Sequence, residues 1–243
     1  MLSLGIAGLL AVAVIRIAVQ HPAGALGVTQ LPLSVALVLA LALLLEAAGA
    51  GYGPAAGDNA SGAAIALVSA LSAAPPRNLA VELVLQGAGE GQEIGIRRYL
   101  RAHKGSVRRE NAIVLGIAAC GAGQPCWWRS DGRMIPAPYT RRLRDLAGEA
   151  APDGVHPHRG RGGTPALPAR IRGLPAIAIG NLDRSGLAPR SHQPADTPAN
   201  LDRAALGRAV EFGLLLIDAI DAALEPDSAT HSDDAPEEAI TPA

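Results

Sequence analysis

The sequence predicts an α/β fold, a three-layer α/β/α domain preceded by a transmembrane helical hairpin. Three observations carry that expectation. Between Tyr52 and Leu224, short apolar runs alternate with segments of helical period, the pattern of a sheet covered by helices on both faces. Before Tyr52 stand two apolar stretches, residues 1–20 and 31–45, almost free of charge. From Glu225 onward the charges are all acidic and are interspersed with Pro, Ser and Thr, a composition that buries too little apolar surface to fold. The expected divisions are a two-helix membrane segment over 1–51, the α/β domain over 52–224 and an acidic disordered tail over 225–243.

Each apolar stretch approaches the roughly 20 residues that a spanning helix needs. The second extends to about Gly51 if Glu46 is tolerated, and the connection Gln20–Gln30, with His21-Pro22 and several glycines, suits a tight turn. The first stretch lacks the basic start and small-residue cleavage site of a signal peptide. The other reading is a buried core element, such as a long strand ending near Leu45. No Lys or Arg lies between Arg16 and Arg77, so loop charge says little about orientation. A hairpin puts both ends on one side of the membrane, and the expectation is a soluble domain on the cytoplasmic side, with membrane lipid as a partner.

In the domain itself, Asp58-Asn59 caps a helix whose residues Ala60, Ala64, Leu67, Val68 and Leu71 recur at helical spacing, and Pro75-Pro76 ends it. Residues 79–86 read as a strand running into a glycine-rich turn. A helix follows over Gln92–His103, with Arg97, Arg98, Arg101 and Lys104 on a solvated face. Ala112–Ala118 is a buried-type strand, and Asp131-Gly132 signals a hairpin turn. Residues 154–163, rich in Gly, His and Arg, read as a mobile loop in which His156 and His158 are solvated. Residues 174–180 form another strand. The last helix runs from about Asp202 to Leu224, with Leu206, Val210, Leu214, Ile217, Ile220 and Leu224 on one face.

Composition excludes some functions. The formal net charge is −1, so no long-range field draws the chain to nucleic acid, and none is expected as a partner. Cys120 and Cys126 have five residues between them, which matches no common zinc or redox spacing. They are expected to pack as small apolar groups.

Function in such a fold gathers in loops beyond the carboxyl ends of strands. Asp58 begins a helix after a Gly-Pro-Ala-Ala-Gly loop, Glu90 lies in the turn after residues 79–86, and His192 lies in the loop after residues 174–180. Two carboxylates and an imidazole suit zinc, with a fourth position left for water.

The words around these residues carry a resemblance. Gly53-Pro54-Ala55-Ala56-Gly57-Asp58-Asn59-Ala60-Ser61-Gly62 resembles the metal loop of the co-catalytic zinc aminopeptidases, to which glutaminyl cyclase and the transferrin receptor ectodomain are related. Three further stretches, all in order, are similar to that family. Leu83–Gly91 looks like the strand that leads to its Glu-Glu pair. Gly173-Leu174-Pro175-Ala176-Ile177 looks like its Gly-x-Pro-Ala-Ile strand, and His192–Asp202 like its terminal His loop. The resemblance covers about residues 53–224 and implies a zinc-aminopeptidase-like domain. It implies that Asp58, Glu90 and His192 are the ligands of one zinc ion, and that a peptide or small amide is the ligand of the cleft.

The same resemblance shows departures. The family's second ion needs an Asp where Ala118 stands and a His-x-Asp upstream of Asp58, where Glu46 and Ala48 occupy plausible positions. The general-base position, first of the Glu-Glu pair, is Gly89, and Thr164-Pro165 replaces a Ser/Thr-Asp pair. No catalytic residue is therefore carried over. Glu93, three residues past Glu90, is expected on an exposed helix face, a substitute base being the alternative. The expected function is a membrane-anchored, zinc aminopeptidase-family protein with one residual zinc site and weak or no peptidase activity, serving in binding or as a scaffold. The alternatives are an active single-zinc aminopeptidase or amidohydrolase and a metal-free structural membrane protein.

Overall fold

Strand β5, Ala176–Leu182, is buried along its whole length and organises the sheet. The computed structural model describes residues 25–49, 53–73, 75–90, 92–132 and 134–224, with Gly8 and Ala11. It divides the chain into two units, Met1–Tyr52 and Gly53–Ala243.

In the second unit β1, Val114–Ile117, runs parallel to β5, and β2, Gln124–Asp131, runs antiparallel on the other side of it. β3, Ala137–Pro138, pairs antiparallel with β2 across the turn at Asp131-Gly132, as its Asp-Gly signal predicts. β4, His156–Arg159, pairs parallel with β2. The sheet order is β1-β5-β2-β3, with β4 joined to β2 off that path.

The helices of this unit are α2 (Ser61–Ser72), α3 (Ile94–Ala102), α4 (Arg141–Glu149), α5 (Leu167–Ile171) and α6 (Arg203–Ala222). Side chains alternate across the sheet. Ile177, Ile179 and Trp127 pack with Leu143 and Ala147 of α4 and with Phe212, Leu216 and Ile220 of α6. Ala176, Ala178, Cys126 and Trp128 pack on the opposite face with Ile96 and Leu100 of α3 and Ala169 of α5. Both faces of β5 are thus covered, which is why its sequence is apolar apart from Asn181, whose amide nitrogen donates to the Cys120 and Ala205 carbonyls. Each buried Ile contributes roughly 1.5–3 kcal/mol of transfer free energy. Cys120 and Cys126 are buried and unpaired, as their small apolar character predicts. Burial pushes the Cys120 thiol up to about 12, so it stays protonated and inert.

Several expectations need correction. Residues 79–86 are extended but make no ladder among the described residues. An alternating run becomes a strand only when a neighbour accepts its hydrogen bonds, and here β1 forms the edge. The segment is tied at its start instead, where the backbone N–H groups of Arg77, Asn78 and Leu79 donate to the Asp221 carboxyl at 2.9, 2.8 and 3.1 Å. Helix α2 exists, but its expected apolar face is the outer one, with Leu67, Val68 and Leu71 exposed. Its buried residues are Ser61, Gly62, Ile65 and Ser69, because small side chains let the helix come close to its neighbours. A Cβ on Gly62 would stand 2.5 Å from the Ala118 carbonyl oxygen. The expected loop over 154–163 contains β4, and His158 packs edge-on against Trp128. Helix α6 starts where predicted. Asp202 accepts N–H bonds from Ala204 and Ala205, but the helix buries Ala205, Ala209, Phe212, Gly213 and Leu216 beside the expected Ile217 and Ile220. Leu224 is exposed.

The expected transmembrane hairpin is not found. Among the described residues no helix is long and apolar enough to cross a membrane. The first expected span lies outside the described residues apart from Gly8 and Ala11, as does the expected acidic tail from Glu225. The second falls within α1, Ala25–Gly49, which contains Pro32. Gln30 and Glu46 bound its uninterrupted apolar run to residues 31–45. At about 1.5 Å per residue that run reaches roughly 22 Å, short of a hydrocarbon core about 30 Å thick.

Candidate metal centre

Asp58 sits in a single π-helical turn, Ala56–Ala60, that leads into α2. The turn is pinned from below. Gly57 N–H and Asp58 N–H donate to the two carboxyl oxygens of Asp196 at 2.6 and 3.0 Å, and Ala56 N–H donates to the Asp196 carbonyl at 3.2 Å. The Ser61 hydroxyl donates to the Gly57 carbonyl at 2.6 Å and accepts from Cys120 N–H at 2.8 Å. Gly57 and Gly121 meet back to back, and a Cβ on Gly121 would stand 2.2 Å from the Gly57 Cα. Only glycine fits there. Asp196 is itself buried, and it belongs to the loop that carries His192.

The Glu90 loop closes on itself through Glu93 N–H to the Gly89 carbonyl at 2.9 Å and Ile94 N–H to the Ala88 carbonyl at 3.3 Å. The His192 loop is held by Gln193 N–H to the Arg190 carbonyl at 3.0 Å and by the Arg190 guanidinium, which donates to the Asn200 carbonyl. Every non-glycine residue with positive φ among the described residues lies in these three loops: Ala55, Ala88, Gln92, Glu93, Arg190 and His192. Backbone held in that sparsely populated region costs about 1–3 kcal/mol per residue and clusters at functional sites.

The structure brings together all three residues singled out from the sequence. His192 Nε2 lies 3.2 Å from Asp58 Oδ2 and 3.2 Å from Glu90 Oε2. One ligand atom from each lies within 4.8 Å of the others, and among the described residues no other group of three metal-binding side chains does so. A tetrahedral zinc site with bonds near 2.0–2.2 Å has ligand-to-ligand edges of about 3.3 Å. The residues present fit such an ion. Asp58 is largely shielded, whereas the Glu90 and His192 side chains are mostly exposed, so the open side faces solvent and a ligand.

Ala118 offers no donor, and its backbone N–H is engaged by the Ile179 carbonyl at 2.9 Å. Gly89 has no side chain to act as a base.

Glu93 is the correction. It is not on an exposed helix face but is 9% exposed, at the start of α3, with the Gln86 amide donating to its carboxyl. Burial raises its proton affinity. The Gln86 hydrogen bond lowers it again, and the Glu90 charge adds to the rise. The signal that sequence reasoning lacked was the left-handed backbone at Gln92 and Glu93, which no spacing rule reveals.

Asp131 and Tyr139 were also missed. Asp131 is fully buried and accepts N–H bonds from Gly132 and Gly162, while its Oδ2 has no protein partner. The Tyr139 and Thr164 hydroxyls share a 2.5 Å hydrogen bond in the core. Asp131 reads from the sequence as a turn residue, and its burial comes only from the loop at 160–162 folding over it.

A sheet covered on both faces by helices, with a carboxylate–imidazole triad on three loops, defines an α/β protein with a candidate metal centre. A match to Peptidase family M28 spans residues 42–217, and the chain belongs to that family. The LapA aminopeptidase of Legionella pneumophila is 17% identical with a TM-score of 0.58, over 72% of this chain and 49% of that one. BSAP, a zinc aminopeptidase from Bacillus subtilis, is 18% identical with a TM-score of 0.56, over 69% and 43%. An aminopeptidase from Aneurinibacillus sp. strain AM-1 is 21% identical with a TM-score of 0.53, over 68% and 39%. These likenesses establish the fold, and the chain spans half or less of the length of these relatives. No curated protein matches the chain.

Two outcomes follow from the geometry. Asp196→Ala leaves the N–H groups of Gly57 and Asp58 without their buried acceptor and is expected to lower stability by roughly 2–4 kcal/mol. It should also weaken zinc binding by about 10- to 100-fold, read by competition with a chromogenic chelator. Unchanged affinity would show that the clamp does not position Asp58.

Glu93 binds its proton more tightly in the folded chain than in the unfolded one. Its contribution to stability is therefore complete below the ordinary Glu range and is lost as pH rises through the raised value. Glu93→Gln is expected to gain stability relative to wild type as pH rises from the ordinary Glu range through the raised value, measured by chemical denaturation. A constant difference across that range would refute the assigned burial effect.

Proposed function

We propose that this chain is a one-metal member of the M28 peptidase family. In this reading Asp58, Glu90 and His192 hold a single zinc ion, and a peptide or small amide occupies the adjoining cleft. The observation that carries the reading is the 3.2 Å spacing of His192 Nε2 from both carboxylates, which matches the edges of one tetrahedral site. When bound, zinc supplies Lewis acidity toward a carbonyl and lowers the pKa of water. The two carboxylates offset the charge of the ion, and the Asp196 clamp keeps Asp58 in place before it arrives.

With Ala118 in place of a further ligand, hydrolysis is slow. Recognition through the cleft is then the part of the family's chemistry that survives best.

Elemental analysis of the full chain beside its His192→Ala variant tests this. About one zinc per chain, lost in the variant, is the expected result. No zinc in either would remove the metal reading and leave a structural role for the fold.

Anchoring is a second element of the proposal, and it rests on α1. Leu31, Val38, Leu39, Leu43 and Leu45 are all at least 61% exposed, which is not the apolar stripe of a helix packed on a core. We propose that this helix associates with membrane lipid. The chain is expected to pellet with membranes. Recovery in the soluble fraction without detergent would sink the idea.

A further inference from the structure

We propose that Glu93 is the proton-accepting residue of this site, a base that reaches the cleft from the start of α3 and replaces what position 89 lacks. The inference rests on the one-metal reading above. Amide hydrolysis beside a Lewis acid is helped by a carboxylate that is not itself a ligand, placed to move a proton at the reacting atoms. Asp58 and Glu90 are ligands in this reading. Four further carboxyl groups line the cleft, those of Glu82, Glu93, Glu110 and Asp131. Glu82 accepts the Tyr99 hydroxyl at 2.6 Å, and Asp131 is fully buried under the N–H groups of Gly132 and Gly162. Glu110 belongs to the turn that follows α3, a segment other than the Glu90 loop. Glu93 remains.

Its placement is built rather than incidental. Gln92 and Glu93 both adopt left-handed backbone, with φ of 65° and 60°, so the chain turns sharply just before the helix and the Glu93 side chain ends buried. Gln86 fixes it from two directions: the Gln86 amide nitrogen donates to the Glu93 carboxyl, while its oxygen accepts Ile96 N–H at 3.0 Å. A Cβ built on Gly89 would come 3.8 Å from Glu93 Oε2. A side chain at position 89 would therefore start in ordinary contact with Gln86 and Glu93.

The proposed step balances without a further reactant. As the water oxygen bonds to the amide carbonyl carbon, Glu93 takes a proton from that water. It returns the proton to the leaving nitrogen as the C–N bond breaks, giving a carboxylic acid and an amine. The charged or titratable groups that bear on Glu93 are Glu90, Arg97, Asp131 and Tyr139.

The test uses the full chain loaded with zinc, a panel of aminoacyl and N-acyl p-nitroanilides, and three proteins: wild type, Glu93→Gln and Glu93→Gln with Gly89→Glu. Glu93→Gln keeps the shape and the Gln86 bond. It is expected to retain its zinc, to lose kcat by roughly 100- to 10,000-fold and to lose the acid limb of the pH profile. Adding Gly89→Glu places a carboxyl beside the side chain at position 93 and should recover at least about tenfold of that loss.

A readout free of turnover is the visible absorption of the cobalt-loaded protein against pH. Wild type should show a transition that Glu93→Gln displaces or lacks. Zinc-loaded wild type that cleaves nothing in the panel, Glu93→Gln within about threefold of wild type, or identical cobalt profiles would each overturn the assignment. So would loss of zinc in Glu93→Gln, which would make the residue structural. Wild type that binds no zinc would instead overturn the one-metal reading, so the two failures are distinct.

Discussion

The buried carboxyl group of Asp196 is the interaction on which the site depends. It belongs to the loop after β5 yet receives the N–H groups of Gly57 and Asp58, nearly 140 residues earlier in the chain. Two of the three candidate ligands, Asp58 and His192, therefore ride on loops joined by one side chain. Around the clamp, Gly121 N–H donates to the Gly57 carbonyl and Asp202 N–H donates to the Gly121 carbonyl, so the start of α6 is tied to the same point. Such a clamp places a ligand before the ion arrives, and it removes the entropy that a free loop would lose on binding.

Strain is concentrated where the clamp and its neighbours can hold it. All six non-glycine residues with positive φ among the described residues fall in the three loops of the site. None of them is an Asn or Asp, the residues that tolerate that region best. The sheet beneath is unstrained, apolar and buried on both faces, and it supplies the stability that the loops give up. This division between a rigid scaffold and strained loops is how a fold keeps a site geometry that local propensity opposes.

Ala118 and Gly89 line the cleft and bring no ligating or basic side chain to it. A Cβ on Gly89 would lie 3.8 Å from the carboxyl of Glu93.

The sequence by itself determined the α/β class of the fold, the positions of β1, β5, α2, α3 and α6, and the identity of the three converging residues. These features are written in local terms. The apolar run at 176–182, the cap at Asp202 and the Asp-Gly turn each act over a few residues, and the words around Asp58, Glu90 and His192 lie in loops whose order the chain preserves. Tertiary structure alone decided the rest. Residues 79–86 carry a strand pattern but have no ladder among the described residues, because pairing requires a neighbour that no local pattern supplies. Helix α2 buries its small residues and exposes its leucines, because the closeness of Ala118 and Gly213 sets which face fits. Glu93 reads as a solvated helix residue and is buried, because left-handed backbone at two consecutive residues redirects it. In each case the deciding force acts between segments far apart in sequence, and periodicity along one segment cannot record it.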